Sequence, residues 1–481
     1  MSSRIKLFLF QFAAATAAGL VLRFVVSLHP VWWLVWFAPA PLLLLAFRFP
    51  SREARWIVLL AAVLGTSGNF HYFRLVMPLP AVIAAIALQS LLWAFLILAT
   101  RRLVVHSRAW WTVFVYPVLC VAVDTLMAAL LPDGNWGSLA YSQGDILPIL
   151  QIASLFGTSG LLFLLTLVPS ALALAIAYGR SVRHGWIAFA LTALLLAASL
   201  AYGFQRLRRP VTGTETTFGV VSIDDPIGLR ASSSYASSIL LEYDLRVAEL
   251  AAQGAQVIVL PEKIEMLTPS RAVQSQQHFS ALALESHVWL EVSVGIDDGQ
   301  SPLNWEWLFS PQGALAASYQ KHHMAPPERR DHYSSGRDYS VYLIDGYAYG
   351  LAICKDMHFA ALGRAYGQRH AAVMLVPAWD FDYLDGWMEE RTTAVRGIEN
   401  GYSIVRASRE GLLSGSDAYG RILAERPSSA LPGSSLLLKM TVSSPIATLY
   451  TRIGNLLGWL CVVAAVGFLS LYRRKPARQK P

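Results

Sequence analysis

Charge is scarce in this sequence. Asp, Glu, Lys and Arg make up 15% of its 481 residues, while 55% are hydrophobic, a balance few soluble proteins show. Cysteine is scarcer still. Cys120, Cys354 and Cys461 are the only three, and two of them lie inside long apolar runs. A disulfide framework is therefore excluded, and Cys354 stands as a free thiol. Internal repeats and low-complexity tracts are missing, which excludes a repeat architecture. Acidic ligands beside the adjacent His322 and His323 are missing too, and neighbouring residues on a strand point apart, so neither a metal nor another cofactor is expected. A cleavable leader is not expected, because residues 7–27 are too long for one and further apolar runs follow. The net charge of +8 would suit nucleic acid, but the basic residues gather at the ends of apolar segments, the placement of membrane topology. No nucleic-acid partner is expected.

The apolar residues concentrate in 1–205 and again in 454–471, with ordinary globular composition between. About 20 apolar residues cross the hydrocarbon core. By that measure residues 7–26, 32–47, 56–76, 81–100, 110–131, 147–178 and 186–204 read as seven spans, and 453–471 as an eighth. Trp32, Trp33, Trp56, Trp110, Trp111 and Trp186 sit at span edges, as an aromatic belt places them. Arginine and lysine alternate: Arg4 and Lys6, then Arg48, Arg52 and Arg55, then Arg101, Arg102 and Arg108, then Arg180 and Arg183, then a basic tail from Arg473 to Lys480, fall on one side. That side is the cytoplasm, with both termini inside. Three parts follow: a membrane bundle of seven helices at 1–205, an extracytoplasmic domain at 206–452, and a final helix with a basic cytoplasmic tail at 453–481. Arg206, Arg208 and Arg209 break the alternation and are placed to meet lipid phosphates. Asp124, inside the fifth span, reads either as a functional carboxylate or as one hydrogen-bonded between helices.

Within 206–452 strand and helix patterns alternate in α/β order. Three apolar strands end on chemically capable residues: Val257-Ile-Val-Leu-Pro-Glu262, Tyr319-Gln-Lys321 and Gly350-Leu-Ala-Ile-Cys354. A thiol attacks as thiolate, so it needs a base, and Glu262 at a buried strand end is the candidate. Attack on a carbonyl develops an oxyanion, which Lys321 and the backbone amide after Cys354 suit.

Glutamate, lysine and cysteine in this order and setting resemble the nitrilase (carbon–nitrogen hydrolase) superfamily. Gly134-Asn-Trp-Gly-Ser-Leu-Ala-Tyr-Ser-Gln143 and Gln151-Ile-Ala-Ser-Leu-Phe-Gly157 resemble one branch of it, the bacterial apolipoprotein N-acyltransferases. The resemblance covers nearly the whole chain. It implies a multi-pass α-helical membrane bundle carrying an α-β-β-α sandwich, with Glu262, Lys321 and Cys354 catalytic, Glu328 and Asp356 supporting, and Asn304 and Trp379 touching substrate. It further implies a phospholipid acyl donor, a lipid-modified protein acceptor, and residence in the bilayer of the bacterial cytoplasmic (inner) membrane. Several positions depart from the family pattern. Cys354-Lys355-Asp356 stands for Cys-Tyr-Glu, Pro377-Ala-Trp-Asp-Phe381 for Asn-Asp-Ala-Trp-Phe, and Ala231 for a tryptophan; the segment from Lys321 to Cys354 is short. A membrane-anchored amide hydrolase and a non-catalytic nitrilase-like scaffold are the alternative readings.

Overall fold

The computed structural model describes residues 3–107, 109–178 and 183–473. Arg108, Arg180 and the basic tail at 474–481 lie outside the described residues. The chain forms two compact units. One is helical, from residues 1–143, 156–204 and 455–481; the other holds 144–155 and 205–454.

In the helical unit six helices have the length and composition to cross a membrane: Ser3–Arg23, Ser51–Val76, Leu79–Ser107, Trp110–Leu130, Ala153–Tyr178 and Trp186–Leu207. Two expected spans are shorter. The run at 32–47 breaks into Trp32–Val35 and Pro39–Arg48. Pro39 starts the second helix because a first-turn proline loses no helical hydrogen bond, whereas in mid-helix it would. The last apolar helix runs from Leu456 to Ser470. Large apolar side chains face outward, among them Phe8, Leu88, Leu130 and Trp186, a surface that lipid rather than water accepts. Small residues set the helix spacing. A Cβ on Gly19 would lie 2.8 Å from Leu64 Cβ, and one on Gly65 2.8 Å from Leu22 Cβ, so these backbones approach closely only because both are glycine. Asp124 accepts a hydrogen bond from the loop residue Asn135, Nδ2 at 2.8 Å, which fits in part the second of its two expected readings, a hydrogen-bonded carboxylate.

The second unit contains two sheets. β1 (Thr214–Ser222), β2 (Val257–Val259), β3 (Met266–Leu267), β4 (Trp289–Ile296), β5 (Leu303–Phe309) and β6 (Leu315–Gln320) belong to the first; β7 (Ser340–Ile344), β8 (Tyr347–Leu351), β9 (Val373–Trp379), β10 (Ser403–Arg409), β11 (Leu412–Ser416) and β12 (Ile422–Pro427) form the second. β13 (Ser434–Val442) returns to the first. The orders are β13-β1-β2-β4-β5-β6, with β3 on β4, and β12-β11-β10-β9-β8-β7. Phe218, Val220, Val259, Leu308 and Tyr319 of one sheet pack against Leu351, Val373, Leu375 and Val405 of the other. Burying each such side chain stabilises by about 1.5–3 kcal/mol. Helices Ser233–Ala252 and Pro269–Ser286 cover the first sheet through Ile239, Tyr243, Val247 and Phe279. On the second, helix Ala360–Gln368 buries Leu362 and Tyr366 against Met374 and Ile404, and helix Tyr383–Asn400 is buried along nearly its whole length. This is the expected α-β-β-α sandwich. β2 and β9 are central parallel strands, covered on both faces, which is why each reads as an unbroken apolar run.

Residues 144–155 belong to this unit through Gln151. Its side-chain nitrogen donates to the Tyr419 carbonyl at 2.9 Å, and its oxygen accepts from Arg206 Nη1 at 2.6 Å. Arg206 is buried, holding Gln151 with its guanidinium over the Tyr419 ring, so the expectation that it meets lipid phosphates is corrected.

Candidate active site

The chemically capable residues collect where β2, β6, β8, β9 and β10 end, the edge at which parallel α/β sheets present their ligand sites. Beyond β2, the Glu262 amide donates to the Ala378 carbonyl of β9 at 3.2 Å, stitching the two sheets at this edge. Beyond β6, the Lys321 amide donates to the Asn304 carbonyl at 3.0 Å. Beyond β8, Cys354 opens a tight turn through His358 with φ +46°, a left-handed conformation costly for a residue with a Cβ. Its sulfur lies 3.7 Å from the carbonyl oxygen of Trp379, at the end of β9.

Lys321 Nζ donates to Glu262 Oε1 at 2.7 Å and to Glu328 Oε2 at 2.8 Å, with all three side chains buried. Burial opposes the ammonium charge, but Glu262 and then Glu328 outweigh it and hold the Lys321 pKa well above its usual value. Glu328 is more heavily tied. Burial would raise its pKa; Lys321 and Lys263 overcome that and hold it far below the carboxylate range. Lys263 Nζ donates to it at 2.8 Å, Asn304 Nδ2 at 2.7 Å and the Ala325 amide at 2.8 Å. Glu262 accepts from Asn304 Nδ2 at 2.6 Å, also through Oε1. Burial pushes the Cys354 thiol well up, the Glu262 carboxylate pushes it further, and Lys321 pulls the other way. The resting thiol is therefore neutral and needs a base.

Glu262, Lys321 and Glu328 are thus brought into one hydrogen-bonded group. Asn304 was expected against substrate; it has no exposed surface, and its amide bridges the two glutamates instead. Asp356 is fully buried and ties the turn after Cys354 to the end of β6. It accepts from Tyr319 Oη at 2.8 Å, the His322 and His323 amides at 3.2 and 2.8 Å, His323 Nδ1 at 3.1 Å and the Ile353 amide at 3.1 Å. His323 thus has an acidic neighbour the sequence did not reveal, yet no metal-binding cluster occurs among the described residues. Trp379 is half-buried beside the sulfur, with its ring nitrogen on Glu410 Oε2 at 3.1 Å.

Three features escaped the sequence reading. Lys263 follows Glu262 at φ +51° and turns inward onto Glu328; a lysine next to a strand-end glutamate was the available signal. His358, four residues after Cys354, contacts Glu389 of helix Tyr383–Asn400. Arg409, at the end of β10, lies over the Trp379 ring, its guanidinium carbon 3.9 Å from the centroid.

Residues 18–172 match the apolipoprotein N-acyltransferase N-terminal domain, and residues 230–428 match the carbon-nitrogen hydrolase domain. The apolipoprotein N-acyltransferase of Geobacter metallireducens is 25% identical, over 92% of this chain and 91% of that protein. Over nearly its whole length the chain is similar to the apolipoprotein N-acyltransferases. A second relative of that name, from Bradyrhizobium diazoefficiens, is 23% identical over 78% of this chain and 76% of its own. Human omega-amidase is 29% identical over 27% of this chain and 54% of its own, a likeness confined to part of the length. An amidase from Nesterenkonia sp. superposes with a TM-score of 0.42 at 20% identity, covering 50% of this chain and 94% of the amidase. Bacterial full-length relatives and six membrane-length helices point to a bacterial membrane protein.

Proposed function

We propose that this protein transfers a fatty acyl chain from a phospholipid to the N-terminal amine of a lipid-modified protein, through a thioester on Cys354. The observation that carries the reading is the buried group of Glu262, Lys321 and Glu328 facing a neutral, buried thiol on a chain with membrane-length helices. Glu262 keeps both of its side-chain bonds on Oε1, so Oε2 takes the thiol proton. The thiolate attacks the ester carbonyl. Lys321, held as an ammonium by two carboxylates, and the backbone amide of Lys355 stabilise the oxyanion; losing such a donor costs about 100- to 1000-fold in rate. The glycerol oxygen leaves with the proton from Glu262, giving a lysophospholipid and the thioester. The acceptor amine then attacks, Glu262 takes its proton, and Cys354 leaves as thiolate and is reprotonated. Glu328 is too strongly tied to two lysines to take a proton, so it positions Lys321. Asn304 positions both glutamates. The alternation of basic residues supports a catalytic unit on the extracytoplasmic side.

The test is the intact mass of the purified full-length protein after incubation with phospholipid and no acceptor. A transferase must keep water from its acyl-enzyme, so a lasting gain of one acyl chain is expected, absent in Cys354→Ala. Rapid release of free fatty acid with no adduct would favour the amide-hydrolase chemistry of the domain. Neither adduct nor release would remove the phospholipid donor.

A further inference from the structure

Arg409 is completely buried, and none of its three guanidinium nitrogens has a hydrogen-bond partner among the described residues. Among the buried arginines of the described residues it is the one with Nε, Nη1 and Nη2 all unpaired. That is unusual, because arginine carries five N–H donors and buried charges are paired as a rule. The other buried arginine of β10, Arg406, is paired, donating to both oxygens of Asp380 at 2.9 and 2.5 Å. Arg409 lies on the opposite face of the strand. Glu262, Glu410 and Asp224, with the Tyr243 hydroxyl, surround it electrostatically. Glu410 and Asp224 are held by other contacts: Glu410 Oε2 takes the Trp379 ring nitrogen, and Asp224 Oδ1 takes the Glu410 amide at 2.7 Å.

The place of this unpaired donor set is specific. It stacks on Trp379, whose own carbonyl touches the nucleophilic sulfur, while Lys263 Nζ lies 5.4 Å from the same ring. Two cations therefore converge on the indole beside Cys354. A planar guanidinium with free N–H groups fits a tetrahedral oxyanion, which it can bind through two parallel hydrogen bonds. In a glycerophospholipid the phosphodiester lies only a few bonds from the ester that Cys354 would attack.

We propose that Arg409 binds the phosphodiester of the acyl donor, with Trp379 holding the guanidinium flat and Lys263 adding charge. The site is thereby selective for an ester that carries an anionic phosphate next to it. This rests on the reading of Cys354 as the acylated nucleophile and of a phospholipid as donor.

The experiment compares two donors with the same acyl chain, a phosphatidylethanolamine and a nitrophenyl ester without phosphate. Full-length protein in detergent is acylated at subsaturating donor, and adduct formation is followed by intact mass. In Arg409→Met the ratio of phospholipid to nitrophenyl-ester rates should fall about 10- to 100-fold, the size of a lost charge-assisted hydrogen bond. Arg409→Lys should give a smaller fall in the same ratio, and it serves as the measurement if the methionine variant does not fold. Inorganic phosphate at millimolar concentration should leave the phospholipid rate unchanged; slowing by free phosphate alone would assign the site to the free ion and overturn the lipid assignment. An unchanged ratio in both variants overturns the proposal, because Arg409 would then act only by supporting Trp379 or Glu262. If the wild-type protein is acylated by the nitrophenyl ester and by no phospholipid, the donor reading itself has failed.

Discussion

At the scale of single residues, the site is a closed set of charges, and its members are not interchangeable. Glu328 accepts from two lysines, Asn304 and a backbone amide. Replacing it with Gln leaves Lys263 and Lys321 with Glu262 alone. Breaking a buried pair from one side costs about 3–5 kcal/mol, so Glu328→Gln should lower the unfolding midpoint in urea accordingly; a change within experimental error would show that the ring of charges carries no stability. The sign with pH follows. The Glu328 carboxyl lies below its ordinary value of 4.5 in the folded protein, so its contribution is complete above pH 4.5 and is lost as the pH falls further towards the folded value. Asn304→Leu tests the bridging amide. It should slow thioester formation about 100-fold through misplacement of Glu262 and Lys321, while the adduct, once formed, persists. Altered donor preference with an unchanged rate would instead return Asn304 to a substrate contact.

Strands and helices carry their own tensions. β5 places Glu306 on the face between the sheets, fully buried, with neither carboxyl oxygen hydrogen-bonded. Burial raises its pKa well above 4.5, and the nearby Glu291 of β4 and Asp356 raise it more. The folded protein keeps a proton there that the unfolded chain releases above 4.5, so the stability it allows is present below 4.5 and is lost as the pH rises towards the folded value. Glu306→Leu should therefore stabilise the catalytic unit at pH 8, by about 1–3 kcal/mol, the cost of an unsatisfied buried group, and flatten the decline between pH 5 and 8. Urea midpoints at both pH values decide it. The helix Ala153–Tyr178 has a second tension, at Gly157, with φ +63° and ψ −162°. Only glycine adopts that region readily, so Gly157→Ala should cost about 1–3 kcal/mol, read as a lower melting temperature of the full chain in detergent.

For the whole molecule, the orientation in the membrane is open to one direct measurement. From the alternation of basic residues we propose that the catalytic unit lies outside the cytoplasm. A reporter active only in the cytoplasm, fused at Ala430 in the turn before β13, should give no signal, and one that requires export should be active. The reverse pattern would turn the topology over. The outward-facing leucines, phenylalanines and tryptophans of the helical unit agree with lipid on that surface whichever way it faces.

Much of this architecture follows from local rules. Apolar length alone marks the six long helices. Unbroken apolar runs mark β2 and β9, because strands covered on both faces need no alternation. Glu262, Lys321 and Cys354 stood out because each follows a strand in a polar step. The run at 32–47, read as one span, is broken, and the signal for the break was Pro39 and Pro41, since proline favours a helix start over its middle. Helix Tyr383–Asn400 begins at a cap where Asp382 accepts the Asp385 amide. Tertiary structure alone decided the rest. Lys263, Glu306 and Arg409 look in sequence like ordinary solvated charges. They are buried only because strands distant along the chain close over them, and a one-dimensional pattern carries no record of which strands become neighbours. The same pairing turned Asn304 from a turn-like asparagine into the bridge between two glutamates, and left Arg409 with a guanidinium that no hydrogen bond among the described residues satisfies.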